Sequence, residues 1–89
     1  MISEFQTAEQ LGLICRRRRE ALRLRIEDAA LVTGANYRWI SEMERGKATV
    51  QLGKVLHYAS MLGIGLAVTL PEEMEHGEAP RQDGKDAAP

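Results

Sequence analysis

Residues 34–47, GANYRWISEMERGK, place hydrogen-bonding side chains on a helix that is too short to be stable by itself. Gly34 and Gly46 leave room for about two helical turns, and a helix of that length depends on packing against neighbours. At helical spacing, the apolar residues Ala35, Ile40 and Met43 form the packed side. The side chains left outside that side can donate and accept hydrogen bonds; they are Tyr37, Arg38, Ser41 and Glu42. The stretch therefore predicts a supported helix with a polar outer face.

Few other residues could carry chemistry. The single cysteine, Cys15, falls on the apolar side of a predicted helix, where a lone cysteine behaves as a small core residue. His57 and His76 are far apart, and no further Cys or His stands at metal-ligand spacing. No nucleophile–base pair is evident, and Gly63 and Gly65 lack the strand–turn–helix context of a nucleotide site. We expect no catalysis, no metal and no cofactor.

Length and composition indicate one small domain. The 89 residues can support only a modest core, and 44% hydrophobic with 28% charged residues is typical of soluble globular proteins. One cysteine excludes an intrachain disulfide and favours a reducing compartment. No apolar run is long enough to span a bilayer, and the first ten residues lack the apolar core of a secretion signal. We expect a cytoplasmic protein without a membrane partner.

The formal net charge of −1 averages over two unlike segments. Residues 1–70 contain ten Lys and Arg against seven Asp and Glu, whereas residues 71–89 contain two against six. The second segment also holds all three prolines and almost no large apolar side chain. It predicts a disordered acidic tail, because it cannot bury enough surface to offset the entropy of ordering. The remainder is mildly basic, which permits a nucleic-acid partner.

The first predicted helix runs from Thr7 to about Leu22. Thr7 and Gln10 have the spacing of a capping box, and the buried stripe is expected at Leu11, Cys15 and Leu22, with Ile14 adjacent to it. The run of four arginines at positions 16–19 points around the whole helix, because successive residues turn through about 100°. Arg18 and Arg19 both fall near the stripe. One of them must therefore approach the core, where it requires a carboxylate partner.

Three more helices follow. The second fits Ile26 to about Thr33, stopped by Gly34, and its small residues Ala29 and Ala30 suit a close helix crossing. The third is the opening stretch, with Asn36 as its N-cap. The fourth is predicted from about Val50 to Leu62, behind Thr49 as cap and ended by Gly63. Its expected apolar positions are Leu52, Val55, Leu56, Ala59 and Leu62.

After the fourth helix, the hydrophobic period changes. Residues 64–70, IGLAVTL, alternate large and small side chains at strand spacing, with Ile64, Leu66, Val68 and Leu70 on one face. A single strand in a helical chain would leave a row of backbone donors and acceptors unpaired. The simplest partner is the same strand of a second copy, antiparallel across a two-fold axis. The alternative is that these residues extend the core as an irregular segment.

The segment LRLRIEDAALVTGANYRWISEMERGK resembles the XRE-type helix-turn-helix of lambda-repressor-like domains, with the resemblance covering residues 11–63. It rests on the spacing of Leu22-x-Leu24, Glu27-Asp28-x-Ala30, Gly34-Ala-Asn36, Ile40-Ser41 and Glu44-Arg45-Gly46-Lys47. The following helix and the strand ending in AVTLP are similar to HipB-like antitoxins, which dimerise through a short C-terminal strand and partner a HipA-like kinase toxin. The resemblance implies an all-α lambda-repressor-like bundle of four to five short helices with one C-terminal β-strand that pairs across a dimer.

The resemblance also implies roles for individual residues. The third helix would enter the major groove of DNA, with base-reading positions Tyr37, Arg38, Ser41 and Glu42. Arg38 would pair with guanine, and Glu42 would either accept from cytosine or hold Arg38 in position. Backbone phosphates would pass near Asn36, Arg45 and Lys47. Trp39 could pack against the sugar–phosphate chain or lie half in the core, and we favour the second.

Two further consequences concern the arginines and the second helix. The family pairs a helix-one arginine with a helix-three glutamate, here Arg19 with Glu44. Where the family usually has a Ser or Thr cap followed by Gln, this chain has Arg25 and Ile26. The usual phosphate-contacting Gln is therefore missing, and Arg25 is the candidate to replace it. Position 29 is Ala rather than a larger aliphatic residue.

Together these features predict an N-terminal arm at residues 1–6, a helix-turn-helix domain at 7–63, a dimerising strand at 64–70 and the acidic tail at 71–89. The predicted function is a homodimeric, sequence-specific repressor that binds an inverted repeat in double-stranded DNA. We expect it to be the antitoxin of a HipBA-like operon, with a HipA-like kinase as partner. The alternatives are a stand-alone XRE-type repressor and a protein-interaction module that has lost DNA binding.

Overall fold

The computed structural model describes residues 1–72, which fold into four α-helices. These are α1 (Ala8–Ala21), α2 (Ile26–Thr33), α3 (Tyr37–Glu44) and α4 (Leu52–Met61). α3 packs against both α1 and α2, and α4 packs against α2. None of the four helices in this part of the chain is long and apolar enough to cross a membrane. The bundle is all-helical, as predicted.

Most helix ends lie where local sequence signals place them. The Thr7 hydroxyl accepts from the Gln10 amide at 3.0 Å, and the Gln10 side chain accepts from the Thr7 amide at 3.2 Å. These two bonds are the predicted capping box of α1. α2 ends at Gly34, whose φ of 80° is the left-handed conformation that glycine adopts without strain. The helix bounds of α1 and α2 therefore follow from local chemistry.

The start of α4 was predicted wrongly. Gln51, not Thr49, occupies the N-cap position, and no side chain caps this helix. Residues 48–50 form a turn that brings Val50 against the core, so the helix begins only at Leu52. Packing of Val50 therefore overrides the capping signal of Thr49.

The core contains one face of each helix. Its buried side chains are Cys15, Ala29, Ile40, Met43, Val55, Tyr58, Ala59 and Leu62. The predicted stripes were too wide, since Leu22, Leu52 and Leu56 are 38%, 67% and 46% exposed. In α4, the buried residues lie within about 100° of arc, and Leu52 and Leu56 fall beyond one edge of it. Tyr58, which the apolar pattern omitted, lies at the opposite edge of that arc, and Val55 and Leu62 lie near its centre.

α1 and α3 cross at close range. Gly12 is buried at this crossing, and a Cβ there would lie 2.7 Å from the carbonyl oxygen of Glu44 and closer still to that of Met43. Only a glycine permits that approach, because real Cβ contacts do not occur at such distances. The close crossing places the backbone at the C-terminal end of α3 against Gly12, and from there the Glu44 side chain reaches Arg19.

Residues 64–72 follow α4 without regular helix or strand, apart from the final described position. Ile64 packs on the core, Leu66 and Leu70 are partly buried, and Val68 is 82% exposed. A strand completed by a second copy has no partner within one chain, so pairing of residues 64–70 across a dimer stays a prediction. Most of the predicted acidic tail, residues 73–89, lies outside the described residues.

Candidate functional site

The candidate site is built on α2, α3 and the three-residue turn between them. Gly34 supplies the left-handed step, and the Asn36 side chain accepts from the amides of Arg38 and Trp39 at 2.8 and 3.2 Å. Thr33 adds a contact that the sequence pattern did not reveal. Its hydroxyl donates to the Ala29 carbonyl at 2.8 Å and accepts from the Ala35 amide at 3.1 Å. Two helices joined by so short a glycine-containing turn form a helix-turn-helix.

α3 divides cleanly into an inner and an outer face. Ile40 and Met43 are buried, and Trp39 and Glu44 flank them. At 100° per residue, the opposite arc of about 140° carries the polar side chains: Tyr37, Arg38, Ser41, Glu42 and Arg45. Tyr37 is 51% exposed, and 86% of the Arg38 side chain is exposed. The residues predicted to read bases therefore share one solvent-facing surface, here called the outer face of α3.

Glu42 organises the charges of this outer face. Its carboxylate accepts from Arg38 Nε at 3.2 Å and from Lys47 Nζ at 3.1 Å. The hydrogen bond from Lys47, followed by that from Arg38, lowers the pKa of Glu42 below its ordinary value. In the protein alone, Glu42 thus holds Arg38 and Lys47 together at one edge of α3.

A buried ion pair supports α3 from behind. Arg19 donates from Nε and Nη2 to the two oxygens of Glu44 at 2.7 and 2.8 Å, and from Nη1 to the Leu24 carbonyl at 2.8 Å. Only 8% of the Arg19 side chain and 5% of the Glu44 side chain are exposed. The hydrogen bond to Glu44 raises the pKa of Arg19 above its ordinary value. These bonds join α1, α3 and the turn that leads into α2.

Arg18, the other candidate for this role, has a different partner. It is exposed, and its Nε donates to the Leu62 carbonyl at 2.7 Å. Arg18 therefore ties α1 to the C-terminal end of α4. Sequence spacing alone could not separate the two arginines, because both fall beside the buried stripe of α1.

The residues predicted to contact phosphates lie at the surface around the helix-turn-helix. Arg25 occupies the N-cap position of α2, with 77% of its side chain exposed. Its backbone N–H donates to Asp28 at 2.9 Å, and this bond lowers the pKa of Asp28. Arg45 and Lys47 are exposed after α3. Because the Asn36 oxygen is engaged in capping, the Asn36 amide nitrogen is the atom that can donate outward.

Trp39 lies at the boundary between this surface and the core. It is partly buried, and its ring meets that of Tyr58 edge-on, with centroids 5.7 Å apart and an interplanar angle of 73°. Trp39 thus lies half in the core. Burial raises the pKa of the Tyr58 hydroxyl, which has no hydrogen-bond partner among the described residues.

The remaining reactive residues lie apart from the outer face of α3. Cys15 is fully buried, and this burial, with the nearby charge of Glu44, raises its pKa to about 11. His57 is exposed on α4. Within residues 1–72, no three His, Cys, Asp or Glu side chains cluster as a metal site would require.

Comparison with known proteins gives one informative relative. No family model matches the chain. The chain is 34% identical over 73 residues to the uncharacterized HTH-type transcriptional regulator y4mF of Sinorhizobium fredii, where HTH denotes helix-turn-helix. The match covers 82% of this chain and 96% of that protein. It therefore spans the entire helix-turn-helix described above and nearly all of the relative.

Proposed function

We propose that this chain, which belongs to the family of HTH-type transcriptional regulators, is a cytoplasmic, non-enzymatic repressor that binds one DNA sequence as a homodimer. The observation that carries the proposal is the outer face of α3. It is polar, exposed and backed by the buried Arg19–Glu44 pair. A helix held in this way can be inserted into a groove without deforming.

The dimensions suit the major groove. An α-helix with its side chains is about 10–12 Å in diameter, and the major groove of B-DNA is about 12 Å wide. With the N-terminal end of α3 leading, the proposed base-reading residues are Tyr37, Arg38, Ser41 and Glu42. The proposed phosphate contacts, which position the duplex rather than read it, are Asn36, Arg45, Lys47 and Arg25.

Arg38 is the proposed centre of sequence recognition. It can leave the Glu42 carboxylate to donate two parallel bonds to guanine O6 and N7, a pairing worth about 1–3 kcal/mol of discrimination. Lys47 also binds Glu42, so this carboxylate stays partly neutralised when Arg38 turns to a base. Glu42 then limits the positions that the Arg38 side chain can adopt, or accepts a bond from cytosine N4.

Exposed apolar side chains support the homodimer part of the proposal. Val68, Leu52 and Leu56 are 82%, 67% and 46% exposed. These residues lie in the predicted strand and on one flank of α4, and a second copy would cover them. Pairing of residues 64–70 across a two-fold axis would also satisfy the backbone groups of this segment. A two-fold dimer carries two copies of α3 related by the same axis, so its target is an inverted repeat.

We extend the proposal to a second protein partner. Leu31 and Val32 of α2 are 85% and 53% exposed, which provides an apolar contact surface on the domain. Together with the likeness of the C-terminal segment to HipB-like antitoxins, this supports an antitoxin that binds a HipA-like kinase. Co-expression with the neighbouring gene product should yield a complex that survives purification, and a Leu31→Asp variant should fail to retain it. Recovery of the repressor alone would favour the stand-alone alternative.

The decisive experiment is a mobility-shift titration against the DNA upstream of the protein's own gene, at several salt concentrations. We expect binding that weakens steeply with salt and favours an inverted repeat over a scrambled duplex of equal length. Equal affinity for both duplexes would contradict sequence-specific binding. No binding to either would favour the interaction-module alternative, which the Arg25–Ile26 departure from the family pattern supports.

A further inference from the structure

A groove with a volume of about 420 Å³ lies between the α2–α3 turn and α4. Trp39 and Asn36 belong to one side of it, Lys54 and His57 to the other, and the almost fully buried Tyr58 forms part of its floor. This volume falls within the range of small-molecule sites, about 300–1,000 Å³. The groove is separate from the outer face of α3, although Asn36 caps the helix that carries that face.

The groove has a definite chemical preference. Two aromatic side chains line it: a flat ring can pack against the partly exposed Trp39, and the almost fully buried Tyr58 forms an apolar floor beneath it. Lys54 contributes a cation, His57 contributes an imidazole, and no Asp or Glu is among its lining residues, all of which lie in the described part of the chain. An aromatic body with a negative charge at one end complements this lining.

Gly53 keeps the α4 side of the groove open. Nothing lies within 4 Å of a Cβ built at this position, so no contact within residues 1–72 requires a glycine there. Glycine within a helix weakens it relative to alanine. Gly53 therefore makes α4 less stable than alanine would, and it leaves open space next to Lys54.

We propose that this groove binds a planar aromatic carboxylate, with the ring against Trp39 and the carboxylate paired with Lys54. The bound carboxylate would lie across the groove from Asn36, which caps α3 and is proposed to contact a DNA phosphate. Its charge would repel that phosphate, so ligand and DNA weaken each other's binding by the same factor. The ligand site stands on the groove alone, whereas its effect on DNA rests on the proposed function.

The binding test uses the full chain and 2-naphthoate as probe, with the neutral 2-naphthamide as its matched comparison. Trp39 is the only tryptophan, so its indole N–H gives one nitrogen-15 NMR signal. We expect this signal to shift saturably with a dissociation constant below about 1 mM. Naphthamide should bind about threefold more weakly, the size expected for an exposed ion pair.

Two variants locate the site. Gly53→Leu should abolish the shift by filling the groove, while Ser60→Leu, an exposed position two turns further along α4, should leave it intact. Lys54→Gln should erase the preference for naphthoate over naphthamide, and Arg17→Gln, an exposed cation that does not line the groove, should preserve it. Naphthoate binding that Gly53→Leu does not change would overturn the proposal.

The DNA test separates the two proposals. Naphthoate should weaken binding to the inverted repeat in the wild type and not in Gly53→Leu. If naphthoate binds but the protein binds no DNA, the groove stands and the proposed function fails. If naphthoate does not bind, and Lys54→Gln weakens DNA binding by itself, the groove is a DNA-backbone contact and the ligand proposal is wrong.

Discussion

Two arginines on neighbouring helices have opposite uses because they differ in exposure. Arg19 is buried with two hydrogen bonds to Glu44, so its charge is satisfied inside the protein. Arg38 has 86% of its side chain exposed and one exchangeable partner, Glu42. Arg19 positions α3, whereas Arg38 can exchange its hydrogen bond to Glu42 for one to a DNA base.

Removal of Glu44 should destabilise the fold strongly. Glu44→Ala leaves the Arg19 guanidinium buried without its carboxylate, which costs about 3–5 kcal/mol. Glu20→Ala breaks the exposed Arg16–Glu20 pair, at 3.0 Å, and should cost about 1 kcal/mol or less. Urea unfolding of both variants measures the difference, and similar losses would contradict the support role of the buried pair.

Substitutions of Arg38 and Lys47 should weaken DNA binding in different ways. Arg38→Ala should cost about 1–3 kcal/mol of affinity for the cognate site and little on scrambled DNA, which relaxes specificity. Lys47→Ala should weaken both duplexes alike and reduce the salt slope by about one. Fluorescence anisotropy with matched duplexes measures both. Equal losses on both duplexes from Arg38→Ala would show that Arg38 does not read bases.

We expect titration of Cys15 to lower the free energy of unfolding in alkali. Its pKa rises from an ordinary 9.0 to about 11 in the folded protein, so the folded state keeps a proton that the unfolded chain releases. This contribution is complete below pH 9.0 and is lost as pH rises toward about 11. Urea midpoints across this range should fall less steeply in Cys15→Ala than in the wild type. An identical slope would mean that the thiol is not responsible.

At the scale of elements, the spacing between α1 and α3 determines where the outer face of α3 sits. Gly12 allows the backbones to approach, and this approach brings Glu44 within reach of Arg19. A wider crossing would separate the pair and tilt α3. Gly12 therefore acts on the candidate site through packing, although it lies on the opposite side of α3.

Gly12→Ala should thus destabilise the domain and weaken DNA binding. The added Cβ would lie 2.7 Å from the Glu44 carbonyl oxygen, and overpacking of this kind costs about 1–3 kcal/mol. The matched control is Gly53→Ala, where nothing lies within 4 Å and stability should rise by about 0.5–1 kcal/mol. Thermal unfolding of both variants measures their stability. An equal gain in stability in both would exclude a tight crossing of α1 and α3.

At the scale of the molecule, a single copy of residues 1–72 leaves apolar surface uncovered on α2, on α4 and at Val68. A dimer through residues 64–70 would cover Val68 and would set the spacing of the two copies of α3. The symmetry of the DNA target then follows from the symmetry of the protein.

Proline in the C-terminal segment should separate the proposed dimer. Successive N–H groups of a strand point alternately to and from the partner, so either Ala67→Pro or Val68→Pro removes a cross-strand donor. At least one variant should show half the wild-type mass by light scattering and bind the inverted repeat with half-site affinity. Val68→Thr, which keeps the N–H, should remain dimeric. Dimers in both proline variants would rule out the strand as the interface.

Features that depend on residues close in the chain could be predicted without the structure. Capping at Thr7 and Asn36, the stop at Gly34 and the division of α3 into two faces follow from backbone hydrogen bonds and the helical period. These effects act within one or two helical turns, so a local pattern is enough to predict them. The helix-turn-helix and the placement of its outer face could therefore be predicted.

Features that depend on residues distant in the chain could be found only in the folded protein. The packed fold exposes Leu52 and Leu56 and starts α4 beyond Thr49. Each outcome depends on which side chains meet across helices. The hydrophobic period of one helix does not show how much of its surface a neighbouring helix covers. The groove beside Gly53 could not be predicted from the sequence for the same reason, because it forms only where the α2–α3 turn, Trp39 and α4 come together.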